Sequence, residues 1–175
     1  MHILLSLLGI LLALAVWYWR IKMISGAARD GYRFAKRVSG RRAGAKAGRS
    51  FRGGLGAVND PREAAAIMML NIAQTRGPAN DRQEAAIRAE MIDHFGFSDA
   101  EAHDLLRQAR RRSGALPART IMARMSQVIT STPGMTRKEY DDLCAMLENV
   151  AVAGGEVSEA EADLIQIWRR KAGLN

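Results

Sequence analysis

Seventeen consecutive residues without a charge, positions 3–19, constrain this chain more than anything else in it. At about 1.5 Å per residue, a helix over them nearly crosses a hydrocarbon core of about 30 Å. Ile3, Leu4, Leu5, Leu11 and Leu12 supply apolar bulk, and Trp17, Tyr18 and Trp19 close the run. Such amphipathic rings suit the level at which a span meets water. Ile21, Met23 and Ile24 extend the span if Arg20 and Lys22 snorkel toward headgroups. A cleaved signal peptide would need a positive segment before the apolar core and small residues after it. Only Met1 and His2 precede this core and a bulky Trp-Tyr-Trp-Arg follows, with Gly26-Ala27-Ala28 a weak cleavage site further on. The sequence therefore predicts an uncleaved transmembrane anchor over residues 1–24.

The formal charge of +8 invites a nucleic-acid reading until it is located along the chain. Residues 20–56 hold eleven Lys and Arg against the single acid Asp30, whereas residues 57–175 hold fifteen basic and seventeen acidic groups. The excess is a juxtamembrane band. No basic residue precedes the span, so the positive-inside rule places the N-terminus outside and the bulk of the chain in the cytoplasm. The expected address is a bacterial inner membrane, crossed once.

Residues 25–56 form a basic linker in which Gly26, Gly31, Gly40, Gly44, Gly48, Gly53, Gly54 and Gly56 each weaken a helix by about 1 kcal/mol relative to Ala. Two readings stay open. Tyr32, Phe34, Ala35 and Val38 suit a short surface helix, with Arg33, Lys36, Arg37, Arg41 and Arg42 meeting anionic lipid headgroups at about 1 kcal/mol each. The other is a disordered tether held by the same charges. Arg and Gly with occasional Phe also resemble segments that bind single-stranded nucleic acid, but a bilayer about ten residues away is the nearer partner.

Residues 57–175 predict one all-α domain, because aromatics are only 6% of the chain, Ala and Met are plentiful, and long β-branched runs are missing. Asp60-Pro61-Arg62-Glu63 is a start signal: an N-cap, a proline suited to the first helical position, and an acid at the third. That helix is expected to reach residue 76, before Gly77-Pro78. Asn80 with Gln83 opens a second helix, bearing Ile87, Met91 and Phe95 on one face and stopping at Gly96. Ser98 with Glu101 opens a third, whose last turn places Arg110, Arg111 and Arg112 at the negative end of the helix dipole. A fourth is expected over residues 118–131, with Ile121, Met125, Val128 and Ile129 inward. Thr136 with Glu139 opens a fifth, carrying Tyr140, Leu143, Cys144, Leu147, Val150 and Ala151, and Ser158 with Glu161 opens a sixth, carrying Leu164, Ile165 and Trp168. These stripes match a core in period and amount. The lone Cys144 excludes an intramolecular disulfide and, mid-helix between Leu143 and Ala145, reads as a buried thiol.

Asn71-Ile72-Ala73 and Asn149-Val150-Ala151 lie 78 residues apart, each before a glycine-containing turn, a cap and another helix. Two similar hairpins suggest a pseudo-twofold bundle in which each covers the other's apolar face.

The segment Ala151-Val152-Ala153-Gly154-Gly155-Glu156-Val157-Ser158-Glu159-Ala160-Glu161 resembles the turn of the TerB-like, tellurite-resistance family, A-x-A-D-G-x-I/V-S/T-x-x-E. Phe95-Gly96-Phe97-Ser98-Asp99-Ala100-Glu101 resembles the same family's G-F/L-S/T-x-x-E junction. The layout of anchor followed by such a domain is also similar to that of the membrane-bound DnaJ-like co-chaperone DjlA, although no J domain or HPD tripeptide is present.

The resemblance implies metal binding by acids in the turns, which supply hard oxygen ligands. This chain departs from that pattern in both halves. Gly154 stands for Asp in the second turn, leaving Glu156 and Glu161. In the first, Arg76 stands for Asp, one residue is expected to be inserted, and Gln83 or Glu84 takes the place of Glu. Glu84, Glu156 and Glu161 are thus weak metal candidates, and no cofactor is expected. His94 and His103, near Asp93, Asp99 and Asp104, lack a third strong ligand at zinc spacing. Ser-His-Asp sets, phosphate loops and HExxH are missing from the sequence, which points to a non-enzyme. The expected function is a TerB-like interaction module that binds a protein beneath the membrane, in envelope-stress or tellurite-resistance-type complexes, rather than nucleic acid or a small substrate. The alternative is a metal- or oxyanion-responsive domain.

Overall fold

A computed structural model of the chain describes residues 54–113 and 116–174. The predicted anchor, from Ile3 to the Trp17, Tyr18, Trp19, Arg20 and Lys22 boundary, lies outside these residues, as do Arg33, Lys36, Arg37, Arg41 and Arg42. Among the described residues no helix is long and apolar enough to cross a membrane.

A short 3-10 turn, Gly54–Ala57, leads into six helices: α1 (Pro61–Ala73), α2 (Asp81–Phe95), α3 (Asp99–Ser113), α4 (Ala118–Thr130), α5 (Arg137–Ala153) and α6 (Glu159–Ala172). The all-α expectation holds, with no strand among the described residues. The axis of the bundle is α1, in which every residue but Glu63 is buried. A helix apolar on all sides needs neighbours on all sides. The other helices supply them: α2, α3, α4 and α5 pack on α1, and α6 closes the bundle against α4 and α5. Trp168 is fully buried, its indole Nε1 donating to the Tyr140 carbonyl at 3.2 Å and its ring meeting Tyr140 edge-on at 5.6 Å. Leu55 and Val58 are buried as well, so the chain is anchored to the bundle before α1 begins.

The capping signals locate the helix starts because each supplies acceptors to N–H groups that no preceding turn can satisfy. Asn80 and Gln83, and Ser158 and Glu161, form reciprocal boxes at the starts of α2 and α6. Gly96 and Gly173 end α2 and α6 in the left-handed conformation, at φ of 68° and 67°.

Four expectations are corrected. First, α1 stops at Ala73 rather than residue 76, since Thr75 Oγ1 donates to the Asn71 and Ile72 carbonyls at 3.1 and 2.8 Å and folds the last residues into a turn. Second, Glu63 does not complete a box with Asp60; its carboxylate lies 2.9 Å from Arg112 Nε on α3, and Arg62 folds back on Asp60 instead. Third, Val128 is only partly buried, and Met122 takes the inward place on α4. Fourth, the pseudo-twofold does not extend through the bundle. α2 lies along α5, but no comparable packing joins α6 to α1, because α4 occupies the space between them. The likeness of the two halves holds within each hairpin, where α1 packs on α2 as α5 packs on α6, and in their turns.

Candidate functional site

The two turns meet, and their meeting place is where the resemblance locates a cation. In the first turn Gly77 takes a φ of 128°, and in the second Gly155 takes 112°. Asn80 and Ser158 then cap α2 and α6. The spacing from Asn71 to Asn80 equals that from Asn149 to Ser158, so the inserted residue expected in the first turn is not there. Gln83, not Glu84, is consequently the counterpart of Glu161. Gln83 Oε1 accepts from the Asn80 backbone N–H at 3.2 Å, and Glu161 Oε2 accepts from the Ser158 N–H at 2.8 Å and its hydroxyl at 2.7 Å.

Across the junction Arg76 Nη2 reaches Glu161 Oε1 at 3.3 Å and the Gly154 carbonyl at 3.4 Å. The side chain of Glu161 is 1% exposed and that of Arg76 is 46% exposed, so the acid is enclosed while the guanidinium covers it from the solvent side. A Cβ on Gly154 would stand 2.5 Å from Gln83 Nε2 and 2.9 Å from Arg76 Nη2. These amide and guanidinium groups already occupy the volume that an aspartate there would claim.

A cation ligand set does not fit this junction. One Glu161 oxygen is committed to Ser158 and the other faces a fixed positive charge, Gln83 is neutral, and Gly154 contributes no side chain. The guanidinium sits where a cation would need anionic oxygens. The remaining candidates are dispersed: Glu84 pairs with Arg110 on α3, and Glu156 is exposed in the second turn. His94 is half-buried on α2 with Nε2 3.2 Å from Glu90 Oε2, while His103 is exposed on α3. Among the described residues no three His, Cys, Asp or Glu side chains converge where a metal ion could sit.

Cys144 is buried on α5, its sulfur accepting from Arg169 Nε at 3.3 Å. Burial pushes its thiol up, with Arg169 opposing and Glu148 adding to the rise, so the reactive thiolate is disfavoured.

A second concavity was not anticipated. Pro61 and Ala65 of α1, His94 and Phe95 of α2, Ile129 of α4, Met135, and Glu139, Asp142, Leu143 and Met146 of α5 line a narrow cavity of about 20 Å³. Its lining is mostly apolar and includes the carboxylates of Glu139 and Asp142. The hydrogen bond to Glu90 raises the His94 pKa above its ordinary value, burial opposes the rise, and the charges of Glu90, Asp142 and Asp93 add to it. The sequence signal was slight: Glu139, Asp142 or Leu143, and Met146 recur at helical spacing, but capping and core roles accounted for most of them.

A family model described as tellurite resistance protein TerB matches residues 62–175, from the first turn of α1 through both junction turns to the end of the chain. No curated protein and no solved structure matches the chain. With more than half of its length under that match, the chain belongs to the tellurite resistance protein TerB family.

Proposed function

We propose that this chain is a single-pass inner-membrane protein that presents a TerB-type helical module to the cytoplasm, where the module binds another protein and catalyses nothing. The carrying observation is the division of charge: an uncharged run over 3–19, then eleven cations against one acid over 20–56, then a nearly balanced domain. Such a division suits a span, a lipid-facing connector and a water-facing bundle in that order. The family name supports a setting in tellurite-resistance or envelope-stress complexes. The metal-responsive alternative draws no support from the junction, where Arg76 neutralises Glu161.

A reporter fused after Asn175 tests the address: activity confined to the cytoplasm and resistance of the protein to carbonate extraction are expected. Activity confined to the outside, or a mature protein beginning near Arg29, would overturn it. The role is tested by affinity capture from crosslinked membranes, in which deletion of residues 57–175 is expected to remove the recovered partners. Unchanged recovery would sink the interaction reading while leaving the address intact.

A further inference from the structure

The junction of the two turns keeps a place for positive charge and fills it with a side chain. A carbonyl oxygen, from Gly154, and a carboxylate oxygen, Glu161 Oε1, converge on one atom, Arg76 Nη2, at 3.4 and 3.3 Å. Oxygens of these two kinds are what a hard cation takes as ligands. The carboxylate is fixed from behind, since Glu161 Oε2 accepts from both the N–H and the hydroxyl of Ser158. An enclosed carboxylate requires a countercharge, because burial removes the water that would solvate it. Among the described residues Arg76 is the cation that pairs with it.

The arginine is held in position by its own turn. Thr75 Oγ1 donates to the Asn71 and Ile72 carbonyls on one side of it, and on the other the Gly77 N–H donates to the Gln74 carbonyl at 3.2 Å. Glu161 lies 85 positions away. Helices α1 and α6, at whose ends these two groups lie, lack the packing that joins α2 to α5. The ion pair therefore bridges the two hairpins where helix packing does not. A metal ion in that place would come and go with its free concentration. A guanidinium on the chain does neither, because the turn sets its local concentration and its charge persists at any physiological pH.

We propose that Arg76 is a resident cation that clamps the first turn to the second in place of an exchangeable metal ion, so that the hairpins are held closed with no ionic trigger. The replacement draws on both departures from the family turn at once. A Cβ at position 154 would stand 2.9 Å from Arg76 Nη2, so the glycine makes room for the guanidinium while its carbonyl serves as the second acceptor. Arg76 and Gly154 are thus one device divided between two turns. The bundle keeps the same closed form with or without divalent cations, and its surfaces stay on permanent display. The clamp requires neither the membrane address nor a partner, so it stands or falls apart from the function proposed above.

The test uses the full chain in mild detergent and reads hydrogen exchange at the Ser158 amide, which donates to Glu161. In the native chain its rate is expected to be the same in chelator and in millimolar calcium. Arg76→Ala should exchange about tenfold faster, between the scale of an exposed pair and that of a buried one. Guanidinium chloride, far below denaturing concentrations, should restore most of the protection, and calcium chloride at the same concentration should not. Arg76→Gln keeps much of the reach and hydrogen bonding of the side chain without its charge, and should exchange nearly as fast as Arg76→Ala. Calcium-dependent protection of the native chain, native protection in either variant, or rescue of Arg76→Ala no better with guanidinium than with calcium each overturns the proposal.

Discussion

The two turns of this bundle have the same length, the same glycine conformation and the same capping arrangement, yet opposite electrostatics. The first brings Arg76 and Gln83 to the junction, and the second brings Gly154 and Glu161. Equal backbones with unequal side chains show which parts of a repeat serve the fold and which serve the contact between its copies. Capping is needed twice, because both α2 and α6 begin with free N–H groups. Charge is needed once on each side, because a single arginine satisfies the single buried acid facing it.

The largest effect should come from removing that acid. Glu161→Ala deletes the acceptor of two Ser158 hydrogen bonds and leaves Arg76 only the Gly154 carbonyl, at a cost of about 2–3 kcal/mol. Gln83→Ala, its counterpart, loses the cap and the amide packed beside Gly154 but no ion pair, and should cost about 1 kcal/mol. Urea unfolding of the full chain in mild detergent, followed by circular dichroism, compares them. Equal losses would mean that the Arg76 contact adds nothing to capping.

A swap of junction chemistry sharpens the same contrast. Arg76→Asp combined with Gly154→Asp places two carboxylates beside Glu161 and removes the guanidinium that fills the space. In chelator the double variant should lose about 2 kcal/mol to like-charge crowding. Calcium should restore the loss and give heat in a calorimetric titration to which the native chain is indifferent. A native titration as strong as the variant's would show that Arg76 does not exclude a cation.

The glycines separate backbone from side-chain demands. Gly155→Ala forces a side chain to a φ of 112° and should cost about 1–2 kcal/mol, though nothing crowds the new methyl. Gly154→Ala, at a φ of −77°, meets only the ends of Gln83 and Arg76, which can withdraw, and should cost less than about 1 kcal/mol. The reverse order in melting temperature would mean that the junction is packed more rigidly than its flexible ends suggest.

Local chemistry explains what was legible in advance. Caps at Asn80, Ser98, Thr136 and Ser158, and apolar spacing through Ile87, Met91 and Leu143 to Val150, depend on neighbours three or four positions away, so the sequence displays them directly. The early stop of α1 at Ala73 escaped because Thr75 has two carbonyls within reach and a helical continuation as its competitor. Glu63 was misassigned for a different reason: its capping role is local, whereas Arg112 lies 49 positions away. The junction was half legible. Arg76 and Gly154 were visible departures from the family turn, but only packing shows that the one occupies the volume left by the other.

The hairpins differ at their far ends too, and here the effect is smallest. His94 lies in the last turn of α2, while the position 78 residues on, in α6, is Ala172. Glu90 and Asp93 on α2, and Asp142 and Glu139 on α5, are the charged groups around the imidazole, with Lys138 joined to Asp142. The faces of α1 and α4 contribute the apolar Pro61, Ala65 and Ile129. Because Glu90 raises the folded pKa above 6.5, the charged imidazole contributes its full stabilisation below the unfolded value and loses it as pH rises through the folded one. His94→Gln should therefore cost about 0.5–1 kcal/mol in weakly acidic solution and progressively less toward alkaline pH. Urea midpoints of both proteins across that range decide it. A constant difference would mean that His94 acts by packing in the cavity wall, with its charge contributing nothing to the first hairpin that the second lacks.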